Sequence, residues 1–257
     1  MREGKTVDIL YVIGLGSVND NAELRYSLRT VDRHCKGVGR IVISGDIPDF
    51  ISDSAVKVPC HDQSVCGKHW NMLYKIEQGI RKANLTEPFL ISCDDHFFTK
   101  DVDLRRWPQR MRRAHIYTEA SWSADNPGKP MGKYQRSVAA TGQLLRENNL
   151  PDVDTVWHGD MWIDPKYLDD VLALANRYCS RSIYGFEPMM LFEAFRRRDR
   201  PYRLAPLERD VKAGSFEKAE EYAKSYGFFS TSDNAWKDGR LAKWFKNNYQ
   251  DKSEYEI

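Results

Sequence analysis

Residues 7–17, VDILYVIGLGS, decide the fold: a β-branched-rich apolar run that stops at Gly14 and Gly16. A run of this length and composition ending in glycines predicts a strand followed by a turn. The next stretch, NAELRYSLRTVDRHC, places Leu24, Leu28 and Val31 at helical spacing. GRIVISGDIPDF then predicts a second strand and AVKVPC a short third. KHWNMLYKIEQGIRKAN predicts an amphipathic helix carrying Trp70, Leu73, Ile76 and Ile80, and PFLISCDD a fourth strand. Strands alternating with helices in this way predict an α/β fold with a doubly wound, mostly parallel sheet. Such sheets bind ligands beyond the carboxyl ends of their strands, where both the Gly14 turn and Asp94-Asp95-His96 fall.

Beyond residue 98 the pattern is less regular. YTEASWSADNPGKPMGKY (117–134), rich in Gly, Pro and Asn, reads as a mobile loop over the cleft. A helix is expected in QRSVAATGQLLRENN, a strand in TVWHGDMWI, and a helix opened by Pro165 in PKYLDDVLALANRYC. No repeat, low-complexity tract or linker divides the chain. One domain is expected over 1–257, with 1–98 as the ligand-binding half and 99–257 as a variable half.

The 257 residues suffice for one large α/β domain, and 41% hydrophobic with 30% charged residues suits a globular protein. No apolar run approaches the ~18 residues of a membrane span. The first residues read as a strand rather than a signal peptide. Five cysteines (Cys35, Cys60, Cys66, Cys93 and Cys179) without a CxxC pair argue against a disulfide framework and for a reducing, cytoplasmic setting. A net charge of +2 gives no global preference for a polyanion. Arginines do gather beside aromatic residues in LRRWPQRMRRAH (104–115), which includes Arg112 and Arg113, and in FRRRDRPYR (195–203). Those stretches are either solvated helix faces or contacts to a phosphate-rich acceptor.

Asp94, Asp95 and His96 interrupt an apolar stretch, PFLISCDDHFF (88–98), where unpartnered carboxylates are costly. Carboxylates and an imidazole at a strand end can hold a divalent cation; a helix cap or a satisfied turn is the plainer alternative. Arg25 and Arg29 share a helical face and either clamp a phosphate or pair with Glu23 or Asp32. Lys68, Asn71 and Lys75 share another face, which either touches a nucleotide or sugar or is simply wet. In a strand, His158, Asp160 and Trp162 would point together. There His158 would complete a metal shell, Asp160 would take a proton from an acceptor hydroxyl, and Trp162 would offer a flat surface to a sugar or base.

DILYVIGLGS, ELRYSLRT and FLISCDDHFF together resemble the first two blocks of Stealth-type sugar-phosphate transferases, over the N-terminal 98 residues. The chain also resembles bacterial and phage-type nucleotide-diphospho-sugar glycosyltransferases, whose closing block is similar to FFSTSDNAWKDGRLAKWF and KSEYE. The resemblance implies a GT-A-like, Rossmann-related fold and transfer from a UDP-type donor with Mn2+ or Mg2+. It places Asp94, Asp95 and His96 on the metal and donor-phosphate motif, Arg25 and Arg29 beside the donor, and His158 in a downstream histidine block. Ser92-Cys93 ahead of the acidic pair and WHGDMWID are departures from that pattern.

The expected function is metal-dependent glycosyl transfer from a nucleotide-diphosphate sugar to an acceptor hydroxyl. Asp94, His96 and His158 would hold the metal. Gly14, Gly16, Arg25, Arg29, Lys68, Asn71 and Asp94 would hold the donor. Asp160 would be the base, with Asp95 beside it on the donor, and Trp162, Arg112 and Arg113 would meet the acceptor. That acceptor is a glycan or a hydroxymethylated pyrimidine in DNA. The alternatives are sugar-1-phosphate transfer and a non-catalytic sugar- or nucleic-acid-binding module.

Overall fold

The computed structural model describes residues 5–14, 17, 19–63, 67–107, 119–151, 153, 159–179, 185–199 and 211–257. In chain order its strands are β1 (Val7–Ile13), β2 (Cys35–Lys36), β3 (Val38–Gly45), β4 (Val56–Pro59), β5 (Phe89–Ser92), β6 (His96–Phe98), β7 (Val102–Asp103), β8 (Met161–Ile163), β9 (Lys212–Ala213) and β10 (Phe228–Thr231). The helices are α1 (Ala22–His34), α2 (Lys68–Lys82), α3 (Glu119–Asp125), α4 (Lys133–Glu147), α5 (Leu168–Cys179), α6 (Pro188–Asp199), α7 (Phe216–Ser225) and α8 (Arg240–Asn248). Among the described residues no helix is long and apolar enough to cross a membrane.

The central sheet runs β4-β3-β1-β5-β8, with the first four strands parallel and β8 antiparallel to β5. Both of its faces are buried, which is why β1 is apolar at consecutive positions rather than alternate ones. Ile9, Tyr11 and Ile13 enter one core with Ile41, Ile43 and Leu90. Leu10 enters the other with Val42, Phe89 and Ile91. Leu24, Leu28 and Val31 of α1 cover the first face, and Leu73, Ile76 and Ile80 of α2 cover the second.

The opposite placement of α1 and α2 follows from strand order. The chain leaves β1 through α1 to β3 on one side, then returns through α2 to β5 on the other side of β1. Right-handed crossovers taken in opposite directions put their helices on opposite faces. β1 and β5 therefore flank the topological switch point, beyond whose carboxyl ends doubly wound sheets hold their ligands in a crevice.

A second sheet, β6-β10-β9, packs its phenylalanines into the α1-side core. Phe97 pairs with Phe229 and Phe98 with Phe228, so HFF is a strand in its own right, bound to a partner 130 residues later in the chain. A short parallel pair joins β2 to β7.

Two expectations change. The Gly/Pro-rich stretch 117–134 is folded where described: α3 occupies 119–125, and Trp122 Nε1 donates to the Lys129 carbonyl at 2.8 Å. The strand expected across TVWHGDMWI is limited to Met161–Ile163, and residues 154–158 lie outside the described residues.

Candidate active site at the β1–β5 crevice

The crevice has one wall made by the turn leaving β1. Asp20 and Asn21 adopt left-handed backbone (φ 53° and 54°), a region that Asp and Asn enter more readily than other non-glycine residues. Ser17 Oγ ties the turn together. It accepts from the amides of Asn19 (3.2 Å) and Asn21 (2.9 Å) and donates to Glu23 Oε2 at 2.9 Å. The Asn19 side-chain amide donates to the other Glu23 oxygen. Glu23 is thus a buried carboxylate fixed at the start of α1, facing the crevice.

The opposite wall is the Cys93-Asp94-Asp95 turn between β5 and β6. It is closed by the His96 amide on the Cys93 carbonyl, and the Thr231 amide binds the Asp95 carbonyl at 3.1 Å. Ser230 opposite His96 fixes the register of β6. From within, Ser27 Oγ donates to the His96 carbonyl at 2.6 Å. Since that hydroxyl has one proton, the Tyr11 hydroxyl 3.0 Å away is the donor to Ser27. The relay carries α1 and β1 onto the backbone of His96.

The His96 imidazole is buried. Its Nδ1 lies 2.8 Å from Asp160 Oδ1, and its Nε2 points toward Asp95 Oδ1 at 3.7 Å. Burial opposes the imidazolium, but Cys93, the Asp160 hydrogen bond and the charge of Asp95 outweigh it and raise the histidine's pKa well above the ordinary value. Asp160 is itself anchored, its carbonyl accepting from Trp107 Nε1 at 2.9 Å. Asp94 is pushed up to about 6 by burial and by the neighbouring charges of Asp95 and Glu23. Two carboxylates on this turn, with Glu23 of α1 near enough to act on Asp94, make a setting that favours a bound cation. The atoms closest to a shared ligand position belong to Cys93, Asp95 and His96, all within 4.8 Å of one another.

One strand further along the rim sits a second polar group. Lys75, with a side chain 4% exposed, places Nζ 2.6 Å from Asp62 and 3.9 Å from Asp46, while His61 Nδ1 lies 2.5 Å from Asp46. The same Nζ lies 3.7 Å from the point where a Cβ on Gly14 would stand, so the ammonium lies against the turn leaving β1.

The expected site residues divide accordingly. Asp94, Asp95, His96 and Gly14 meet at the crevice, whereas Gly16, Arg112, Arg113 and His158 lie outside the described residues. Asp160, expected as the base, has a buried side chain whose Oδ1 lies 2.8 Å from His96 Nδ1, and it precedes β8 rather than standing in it with Trp162. Trp162 donates from Nε1 to the Trp107 carbonyl and lines a cavity with Lys5, Asp8, Glu87 and Arg105, at the amino-terminal edge of the sheet.

Arg25 and Arg29 turn away from the crevice. Two residues along a helix is about 200°, so they face opposite Glu23, and both reach Glu256 of the C-terminal segment. Asn71 is used locally, accepting from the Gln63 amide at 2.8 Å and donating to its carbonyl. Lys68 begins α2 with an exposed side chain. Sequence reading gave Cys93 and Glu23 no role at the site, whereas Lys75 was expected on the face of α2 that touches a nucleotide or sugar or is simply wet. Only Cys93 had a local signal, its place beside the acidic pair.

No family model matches the chain, and no curated protein matches it in sequence. Among solved structures it is similar to the apo form of the glycosyltransferase GlyE from Streptococcus pneumoniae TIGR4, at 11% identity and TM-score 0.44, covering 95% of this chain and 60% of that one. It is also similar to a glycosyltransferase involved in the glycosylation of the major capsid of PBCV-1, at 10% identity and TM-score 0.41, covering 96% of this chain and 100% of that one. The chain thus spans 60% of the length of the pneumococcal enzyme.

Proposed function

We propose that this chain is a glycosyltransferase of GT-A-like type, moving a sugar from a nucleotide-diphosphate donor to an acceptor hydroxyl. One observation carries the reading: the acidic-imidazole turn after β5 and the turn after β1 lie at the carboxyl ends of neighbouring parallel strands, at the switch point of the sheet. Dinucleotide- and nucleotide-sized ligands suit this position in a doubly wound sheet.

Glu23, Asp94 and Asp95 would repel a bare diphosphate. The donor's phosphates therefore approach this wall only together with a divalent cation, for which Asp95 and His96 are holders with Asp94 beside them. When bound, that cation supplies charge neutralisation for the departing nucleoside diphosphate. Lys75 is the buried positive charge that the chain itself places on the same rim, beside Gly14. Asp160 fixes the imidazole through Nδ1, and the aromatic packing of Phe98, Trp107 and Phe228 behind it keeps water from that side. A UDP-type donor and Mn2+ or Mg2+ are the ligands the sequence resemblance suggests.

A thermal-shift panel of nucleotide sugars with and without divalent cations tests the reading. A fitting donor at a hundredfold excess over its Kd raises Tm by about 5 °C, and only with the cation present. Mass spectrometry of the products then separates sugar transfer from sugar-1-phosphate transfer. Acceptor binding that weakens steeply with salt points to a hydroxymethylated pyrimidine in DNA, and a flat response to a glycan. If no nucleotide sugar shifts Tm under any cation, the transferase reading fails and a non-catalytic binding module takes its place.

A further inference from the structure

The donor set at the crevice is not the oxygen-rich one that Mg2+ prefers. Cys93 Sγ, a carboxylate oxygen of Asp95 and an imidazole nitrogen of His96 lie within 4.8 Å of one another. Asp160 Oδ1 already occupies His96 Nδ1 at 2.8 Å, which leaves Nε2 as the ligating nitrogen, 3.7 Å from Asp95 Oδ1. Around a tetrahedral ion with bonds of 2.0–2.3 Å, ligand atoms stand about 3.5 Å apart, so this pair is already at coordination spacing. The carboxylate behind the imidazole is the usual arrangement for orienting a metal-bound histidine.

A second observation points the same way. Asp160 is 1% exposed, and among the described residues its Oδ2 is buried without a hydrogen-bond partner. An unpaired buried oxygen is costly, and this one belongs to the carboxylate that orients the imidazole.

We propose that Cys93, Asp95 and His96 form a three-ligand site for a thiophilic divalent cation of the Zn2+ or Co2+ class, oriented by Asp160. A thiolate and an imidazole select such ions over Mg2+ and Ca2+. Three protein ligands leave a coordination position open. The inference deepens the transferase reading and rests on it for what that position receives, a donor phosphate oxygen. Asp160 acts here as a positioning residue.

The test is a Co2+ titration of the full chain without donor, followed by absorption spectroscopy. One equivalent is expected to give a thiolate-to-cobalt charge-transfer band in the near ultraviolet and intense visible bands of four-coordinate cobalt. Zn2+ should displace it, and a large excess of Mg2+ should not. Cys93→Ser is expected to remove the charge-transfer band. Asp160→Asn should keep the band but weaken Co2+ binding roughly 10- to 100-fold.

A missing band, a band that survives Cys93→Ser, or displacement by Mg2+ as readily as by Zn2+ overturns the proposal. Should the variants fail to fold, thiol labelling of the natural chain decides: Zn2+ must protect Cys93 from maleimide, read by peptide mass, and equal labelling with and without Zn2+ overturns the site. A chain that binds cobalt this way yet binds no nucleotide sugar would end the transferase reading and leave the metal site standing.

Discussion

His96 is held on every side by groups from distant parts of the chain: Asp160 on its ring, Ser230 across its strand and Ser27 on its carbonyl. The Tyr11–Ser27–His96 relay is fully buried, and burial followed by the Asp160 charge raises the Tyr11 phenol's pKa far above its ordinary value. Ser27→Ala would leave the buried His96 carbonyl without its side-chain donor and take from the Tyr11 hydroxyl one of its two serine partners, Ser27 and Ser92, at a cost of about 2 kcal/mol. Tyr11→Phe removes a donor but leaves Ser27 on His96, so about 1 kcal/mol is expected. Urea unfolding of the two variants checks the order, and equal losses would mean that the relay carries no such load. Among single residues, the Asp-Asp-His trio was legible because polar side chains interrupt an apolar run. The partner of His96 was not, because Asp160 lies 64 residues on and its inward turn depends on Trp107.

At the scale of elements, the strands and helices of the first half follow their apolar spacing, and α2 shows what spacing leaves out. Gly79 sits mid-helix, where propensity favours alanine by about 1 kcal/mol. A Cβ there would stand 2.6 Å from Leu10 Cδ1, on a side chain with no exposed surface and no room to retreat. Overpacking of this kind costs about 1–3 kcal/mol, so Gly79→Ala is expected to destabilise by about 1 kcal/mol net. Thermal melts would show the opposite sign if propensity governed, and the penalty should shrink in a Leu10→Ala background. The glycine marks a close approach of α2 to Leu10 of β1. β6 is the contrasting case. Three residues carry too little pattern to announce a strand, and its pairing with β10 exists only once the chain has folded.

The whole molecule is closed by its C-terminal segment. Glu256 pairs with Ile51 across a β-bridge, and both oxygens of its buried side chain meet Arg29 at 2.7 and 2.8 Å. Arg25, lying over the Phe50 ring, adds a longer contact at 3.4 Å. Burial raises the pKa of Glu256, but the Arg29 hydrogen bonds and the Ser253 amide outweigh it and hold the carboxyl below its usual range. A carboxyl with a lowered folded pKa stabilises the protein above its unfolded value, near 4.5, and that stability is lost as pH falls through the lower folded value. Glu256→Gln is expected to cost about 3 kcal/mol at pH 7, since it leaves Arg29 facing an uncharged partner in a mostly buried setting. The loss should fade below about pH 4. Denaturant midpoints of both proteins between pH 3 and 7 provide the check, and a pH-independent difference would remove Arg29–Glu256 as the cause.

The sequence by itself determined the α/β class, the order of strands and helices from β1 to β5 apart from the two-residue β2, and the presence of polar chemistry at the end of β5. Each of these is written in local periodicity and in where apolar runs stop. Tertiary structure alone decided that Arg25 and Arg29 serve the C-terminal segment, that Asp160 backs His96, and that β6 pairs with β10. Those outcomes depend on which groups the fold brings to within hydrogen-bond reach. A side chain's chemistry fixes what it can do, but its partner is set by strand order and burial, which no stretch of adjacent residues encodes.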